Sequence, residues 1–294
     1  MRRMSAPRAS IGVMQFTSAE ASRRYDELVH VAARSVIALD FDGTLSPIVD
    51  DPAAAHIHDE APGVLVDLAV HVRALAVVTG RPARQVLALG GLDEVGELVH
   101  DAGSDLFVFG QYGNERWDTQ DRRVRSPRPP QGLASFLLGL PKVLRTAKAE
   151  DAYVEEKGLA IAVHTRRLED PQAAYDRLLP LVTELAATHD LGVEPGRNVI
   201  EVRSPGMHKG EAVKILVRET RAGGFLFGGD DLGDVEAFHA VAELRDQGLP
   251  TLLVASASEE ESALADLADV VVEGPDGVLD LLRRLTADAA SVRT

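Results

Sequence analysis

Residues 36–44 read VIALDFDGT. Four apolar residues in a row, with no polar alternation, have the pattern of a short strand buried on both faces. The chain then leaves that strand through Asp40 and Asp42, two like charges one residue apart, and turns at Gly43 and Thr44. A pair of carboxylates at the mouth of a buried strand needs something positive beside it, and the rest of the sequence has to supply it.

Working outward, five more continuous apolar runs follow the same pattern: 74–78 (ALAVV), 106–109 (LFVF), 225–228 (FLFG), 251–255 (TLLVA) and 270–272 (VVV). Segments with helical spacing separate most of them. These are 62–73, 82–89 with Pro82 in the first turn, 209–221, 235–244, a polar helix after 255 and a final helix. Ahead of them, Thr17 and Glu20 match a capping box that opens a helix to about residue 33. Buried strands alternating with helices predict an α/β fold, a doubly wound, Rossmann-like parallel sheet covered on both faces.

The alternation stops at 122–130, RRVRSPRPP, which reads as a hinge. Beyond it the spacing predicts a helix over 131–149, strands in AYVEE and LAIAVHT, a helix over 171–188 and short strands near Leu191 and Val199. That is an α+β cap inserted into the core. The expected organisation is an N-terminal arm and helix (1–29), the first part of the core (30–124), the cap (125–204) and the second part of the core (205–294).

Composition narrows the chemistry. The chain has 294 residues, 45% of them apolar, and 31 Lys plus Arg against 46 Asp plus Glu give a formal charge of −15. Such a surface disfavours nucleic acid and anionic membranes. There is no cysteine, so any metal is held by oxygen or imidazole. The N-terminus lacks a signal-peptide core and cleavage site, and no apolar run has the length of a bilayer span, so a cytoplasmic protein is expected.

In open α/β sheets the ligand lies outside the carboxyl ends of the strands. The residues that follow the apolar runs are Asp40 and Asp42, then Thr79, Gly80 and Arg81, then Gly229, Asp230, Asp231 and Asp234; Lys209 opens the helix after the cap. Carboxylates converging on one crevice without Cys or clustered His suit a hard, oxygen-seeking cation, Mg²⁺. A metal, a lysine and a hydroxyl around a free carboxylate suit a phosphoryl group, whose transfer depends on positioning and charge neutralisation. Gly43 lets the backbone turn close to the phosphate, and N–H groups around Thr44 can point at its oxygens. On this reading Asp40 is the nucleophile. Asp42, crowded by a like charge, is the acid that protonates the leaving alkoxide and the base that then activates water.

The order D-x-D-G-T (40–44), T-G-R (79–81), H-K-G (208–210) and G-D-D-x-x-D (229–234) resembles the four motifs of haloacid-dehalogenase-like phosphatases. Within that superfamily the chain resembles trehalose-6-phosphate phosphatases: residues 39–48 match L-D-[FY]-D-G-T-L-x-P-I. Further matches are G-x-x-G at Gly110 and Gly113, E-x-K at Glu155 and Lys157, and H-x-R at His164 and Arg166. The resemblance covers about residue 30 to the end. It implies Mg²⁺ held by Asp40, the carbonyl of Asp42 and Asp230, with Asp234 in support, and phosphoryl oxygens held by Thr79 and Lys209. Glu155, Lys157, Arg166 and Glu201 would grip the sugar. The implied activity is hydrolysis of trehalose 6-phosphate through an aspartyl-phosphate, so the expected partner is a small-molecule sugar phosphate; separately from the resemblance, a monomer is expected. The chain departs from the family at Tyr112, where His is commoner, at Thr165, where Tyr is commoner, and at Gly233, Asp234 and Val235, where the family has T-D-E.

Other readings stand beside these. Read from the residues alone, Glu155, Lys157 and Arg166 form an ion-pair cluster on adjacent strands, and Asp231 is either a helix cap or a support for the metal. His208 and Trp117 read as structural, 122–128 as a hinge and not an RNA site, and the acidic run SEEES (258–262) as a helix start. Rival functions are another sugar phosphatase, acting on sucrose phosphate or a hexose phosphate, a phosphoacceptor domain, and a regulatory relative without turnover.

Overall fold

The structure, a computed structural model, describes residues 15–49, 51–196, 198–206, 208–257 and 264–292. The acidic run 258–262 and most of the polar helix expected there lie outside the described residues, as does the arm up to residue 14; residues 264–267 form a turn.

The core begins with strand β1 (Gln15–Phe16) and helix α1 (Ala19–His30). Ser18, not Thr17, caps α1, its hydroxyl accepting from the Ala21 N–H at 3.0 Å. Thr17 instead donates its hydroxyl to the Ala268 carbonyl, pinning the chain entry to the far edge of the sheet. Strand β2 (Ser35–Leu39), helix α2 (Ala61–Ala69), strand β3 (Ala74–Val78) and helix α3 (Ala83–Gly90) follow. Next comes helix α4 (Leu92–Asp101), which the sequence reading missed although Leu92, Val95 and Val99 are buried at helical spacing. Glycines at 90, 91 and 96 obscured it; Gly91, left-handed at φ 56°, ends α3 and starts α4. Strand β4 (Asp105–Gly110) then pairs antiparallel with strand β5 (Glu115–Asp118).

The cap consists of helix α5 (Gln131–Thr146), strands β6 (Tyr153–Glu156) and β7 (Ala160–His164), helix α6 (Pro171–Ala187) and strands β8 (Gly192–Gly196) and β9 (Val199–Arg203). The chain returns to the core with helix α7 (Lys209–Thr220), strand β10 (Gly224–Gly229), helix α8 (Val235–Asp246), strands β11 (Thr251–Ala257) and β12 (Val270–Glu273), and helix α9 (Gly274–Val292).

Among the described residues, the core strands form one sheet in the order β1-β12-β11-β10-β2-β3-β4-β5. It is parallel from β12 to β4 and antiparallel at its two edges. Two apolar layers cover it: one holds Leu39, Val77 and Leu226, the other Val36, Val78 and Phe227, the alternation expected of strands buried on both faces. Helix α1 belongs to the core, with Tyr25 donating its hydroxyl to Asp288 of α9 at 2.7 Å. In the cap, the antiparallel sheet β6-β7-β9-β8 packs one face on α5 and α6 through Ile161, Val163, Ile200 and Val202. Alternation puts Tyr153, Glu155, His164, Glu201 and Arg203 on the other face.

Candidate active site

β2 lies between β10 and β3, so the carboxyl ends of those three strands meet at one point. Asp40 follows β2, and its N–H donates to the Gly228 carbonyl at 2.8 Å, locking the first aspartate beside the end of β10. Asp230 follows β10, and Thr79 follows β3. Lys209, the first residue of α7, reaches the same point: its Nζ lies 2.9 Å from Asp40 Oδ1 and donates to Asp234 Oδ1 at 2.7 Å. The other oxygen of Asp234 accepts from the Asp230 N–H at 3.1 Å. Asp231 caps the following turn, accepting from the Gly233 N–H at 2.8 Å.

Asp40, Asp230 and Asp234 are buried, with carboxylate oxygens within 4.8 Å of one another. Burial, with the neighbouring carboxylates, pushes Asp230 up to about 10, and burial likewise raises Asp40 well above the carboxylate range against the pull of Lys209. Burial also works against the charge of Lys209, but Asp234 and Asp40 more than offset it and hold the ammonium protonated. Asp40 Oδ1, despite its contact with Lys209, and Thr44 Oγ1 are buried and make no hydrogen bond. Buried carboxylates with unfilled acceptor capacity and one lysine between them fit a small divalent cation, which neutralises what protons must otherwise neutralise. Asp234 is the poorest ligand of the three, since both its oxygens already accept hydrogen bonds.

Gly43 shows why this loop admits no side chain. Its φ is 66°, and a Cβ there would lie 2.0 Å from Asp230 Oδ2. Its carbonyl is held by Ser256 Oγ of β11 at 2.6 Å, a contact the sequence reading missed.

The expectation for Asp42 needs correcting. Its dominant neighbour is not a like charge but Arg81, whose Nε and an Nη each donate to it at 2.7 Å; Arg81 also donates to the Pro52 carbonyl. Such a forked ion pair holds both carboxylate oxygens in one orientation. Thr79 Oγ1 accepts from the Arg81 N–H at 3.1 Å, tightening the loop that carries both residues.

A cavity of about 210 Å³ opens on this cluster, with Asp40, Thr79, Gly80, Arg81 and Lys209 on its core side and Glu155, Lys157 and His164 of the cap opposite. A second cavity, of about 390 Å³, shares Gln85, Glu155 and His164 with the first and reaches Arg166, Arg167 and Asn198. Arg166 therefore stands in the outer compartment. Glu155 accepts from the His164 ring at 3.0 Å. Glu201 lines neither cavity; it is buried between Lys157 Nζ at 2.7 Å and an Arg203 Nη at 2.9 Å. Gly43 and Thr44 sit behind Asp40 and Asp230, not on a cavity wall. A further cavity, of about 990 Å³, lies at the amino ends of the strands around Arg73, Asp105 and Glu219, away from this cluster. Tyr112, Gln85 and Arg203 join the site without having been read as part of it; the departure at Tyr112 was the only sequence signal among them.

The doubly wound sheet under an inserted cap, with this carboxylate and lysine cluster at its central crossover, has the fold of a haloacid dehalogenase-like hydrolase of Bacteroides thetaiotaomicron, with a TM-score of 0.58 at 14% identity, covering 85% of this chain and 98% of that one. The trehalose-phosphatase family profile matches residues 38–110 and 142–272, and the chain belongs to that family, whose members are phosphoric monoester hydrolases. Trehalose-phosphate phosphatase B of Arabidopsis thaliana is 29% identical over 287 residues, covering 93% of this chain and 72% of its own length. A probable trehalose-phosphate phosphatase of Sinorhizobium fredii is 30% identical over 209 residues, 70% of this chain and 73% of its own. The C-terminal domain of the Candida albicans trehalose-6-phosphate phosphatase superimposes with a TM-score of 0.70 at 22% identity, covering 95% of this chain and 99% of that one.

Proposed function

We propose that the protein hydrolyses trehalose 6-phosphate to trehalose and phosphate. The observation that carries the reading is the Asp40–Lys209 contact of 2.9 Å on the floor of a cavity whose opposite wall is the polar face of the cap. Asp40 attacks phosphorus; a carboxylate–phosphorus bond forms, the phosphorus–sugar oxygen bond breaks, and the leaving alkoxide takes a proton from Asp42. Asp42, now ionised, draws a proton from water as that water attacks the aspartyl-phosphate and restores Asp40. The pairing with Arg81 in this structure suits the second step, when Asp42 acts as a base. Thr79 and Lys209 hold the phosphoryl oxygens, and Gly80 lies on the same cavity wall, its lack of a side chain making room for the Tyr112 ring. Asp40, the Asp42 carbonyl and Asp230, with Asp234 in support, would hold Mg²⁺, which would supply neutralisation of the phosphoryl charge.

The cap reads the sugar. Glu155 and Lys157 face the first cavity and Arg166 the second, groups suited to the many hydroxyls of a disaccharide. Glu201 acts on Lys157 by orienting it. Phosphate release measured over trehalose 6-phosphate, sucrose phosphate and glucose 6-phosphate tests the assignment. Trehalose 6-phosphate should have the highest kcat/KM; a preference of about tenfold or more for another ester, some 1.4 kcal/mol of transition-state binding, overturns it.

A further inference from the structure

The loop after β4 occupies a place that the phosphatase reading does not use. Gln111 and Tyr112 are successive non-glycine residues with left-handed backbones, φ 48° and 58°, a conformation kept only where its surroundings enforce it. Four contacts do so. The Gln111 N–H donates to the Arg81 carbonyl at 2.8 Å and the Tyr112 N–H to the Thr79 carbonyl at 3.0 Å, so the loop is fastened to the one carrying the phosphoryl-holding Thr79. Gly113 lies against Ala212, one turn along the helix that starts with Lys209. Toward the cap, the buried Gln111 amide donates to the Lys157 carbonyl.

The Tyr112 ring completes the bridge. One edge fills the space that a side chain at Gly80 would need, 2.7 Å from where its Cβ would stand. Its face carries the guanidinium of Arg203, 3.8 Å from the ring centroid. Arg203 is buried, with its other contacts to Glu201 at 2.9 Å and Glu194 at 3.0 Å, both within the cap. A planar cation desolvated on an aromatic face is among the stronger contacts available between two separately folded units.

We infer that Tyr112 is a positioning residue for the reaction: the platform on which Arg203 docks when the cap closes, setting Glu201 and Lys157 against the loop that holds Thr79. The inference rests on the phosphatase reading. What Arg203 uses is the ring face, so the size of the side chain and the hydroxyl should matter less than its aromaticity.

The test compares Tyr112→Phe, Tyr112→Leu, Arg203→Lys and the Tyr112→Leu/Arg203→Lys double variant in the full-length protein. Tyr112→Leu and Arg203→Lys should each lower kcat/KM for trehalose 6-phosphate about tenfold, Tyr112→Phe should stay within about threefold of the parent, and the double variant should be little worse than either single one. Losses on p-nitrophenyl phosphate should be smaller. Equal losses in the Phe and Leu variants, or additive losses in the double variant, overturn the inference. Small-angle scattering without substrate separates it from the substrate assignment. Tyr112→Leu should increase the radius of gyration while Tyr112→Phe does not, whichever ester is turned over; an unchanged radius in Tyr112→Leu also overturns it. Should Tyr112→Leu fail to fold, Arg203→Lys and Tyr112→Phe carry the same comparison.

Discussion

In the core, Asp40, Lys209, Asp230 and Asp234 are all buried, and each is placed by backbone: a strand end, a helix start or a capped turn. In the cap, Glu155, Lys157 and His164 keep partial exposure, and Arg166 is exposed. Glu155 and His164 sit on one face of an antiparallel sheet whose other face holds the cap together, and Lys157 and Arg166 lie just beyond the ends of β6 and β7. The core crevice is a fixed arrangement of largely buried charges, where electrostatic interactions are strong and misplacement is costly. The cap presents partly exposed groups, among them the Glu155–His164 pair, whose contacts with one another are open to exchange for hydroxyls. Rate should therefore reside in the core and discrimination in the cap.

The sharpest way to break that contrast is Asp40→Asn. It should lower kcat roughly a thousandfold or more on every ester, because the attacking charge is gone. The melting temperature should not fall, because a neutral isostere removes one of the buried carboxylates whose ionisation burial opposes. Retained turnover would remove Asp40 as nucleophile. Next in size is metal removal: exhaustive chelation should reduce phosphate release about a hundredfold on all substrates, and added Mg²⁺ should restore it. Activity that survives chelation would mean that the carboxylate cluster works as a protonated group.

Gly43→Ala probes how tightly the core is built. A Cβ 2.0 Å from Asp230 Oδ2 on a left-handed backbone must displace the carboxylate. The expected cost is about 1–3 kcal/mol in denaturant unfolding, with a fall in kcat of about tenfold or more. An unchanged enzyme would show that the loop has slack. Smallest and most selective should be Arg166→Ala: roughly tenfold on trehalose 6-phosphate and close to nothing on p-nitrophenyl phosphate. Equal losses on both would erase the division of labour between the two regions.

The sequence was most legible where one local signal fixes both conformation and chemistry. Val36 to Gly43 is such a place: an apolar run buried on both faces, two carboxylates and a glycine at positive φ follow from one short string, and β2, β3 and β10 were read within a residue of their ends. Where glycines interrupt the period, as at Gly90, Gly91 and Gly96, a helix with a well-formed apolar stripe went unread. Thr17 was taken for the cap in place of Ser18 because the two offer the same hydroxyl one residue apart, and only the carbonyls of Ala268 and Asp269 decide between them.

By itself the sequence determined the doubly wound core, the inserted cap and the identity of the carboxylates at the strand ends, because strand burial and turn chemistry are properties of short stretches. Only the tertiary structure decided that Arg81 faces Asp42, that Glu201 turns to Lys157 and Arg203 and away from the cavities, and that Tyr112 lies under a cap arginine. Apart from Glu201 with Arg203, two residues away on the same strand, those pairings join residues tens of positions apart through side-chain directions that no local pattern encodes.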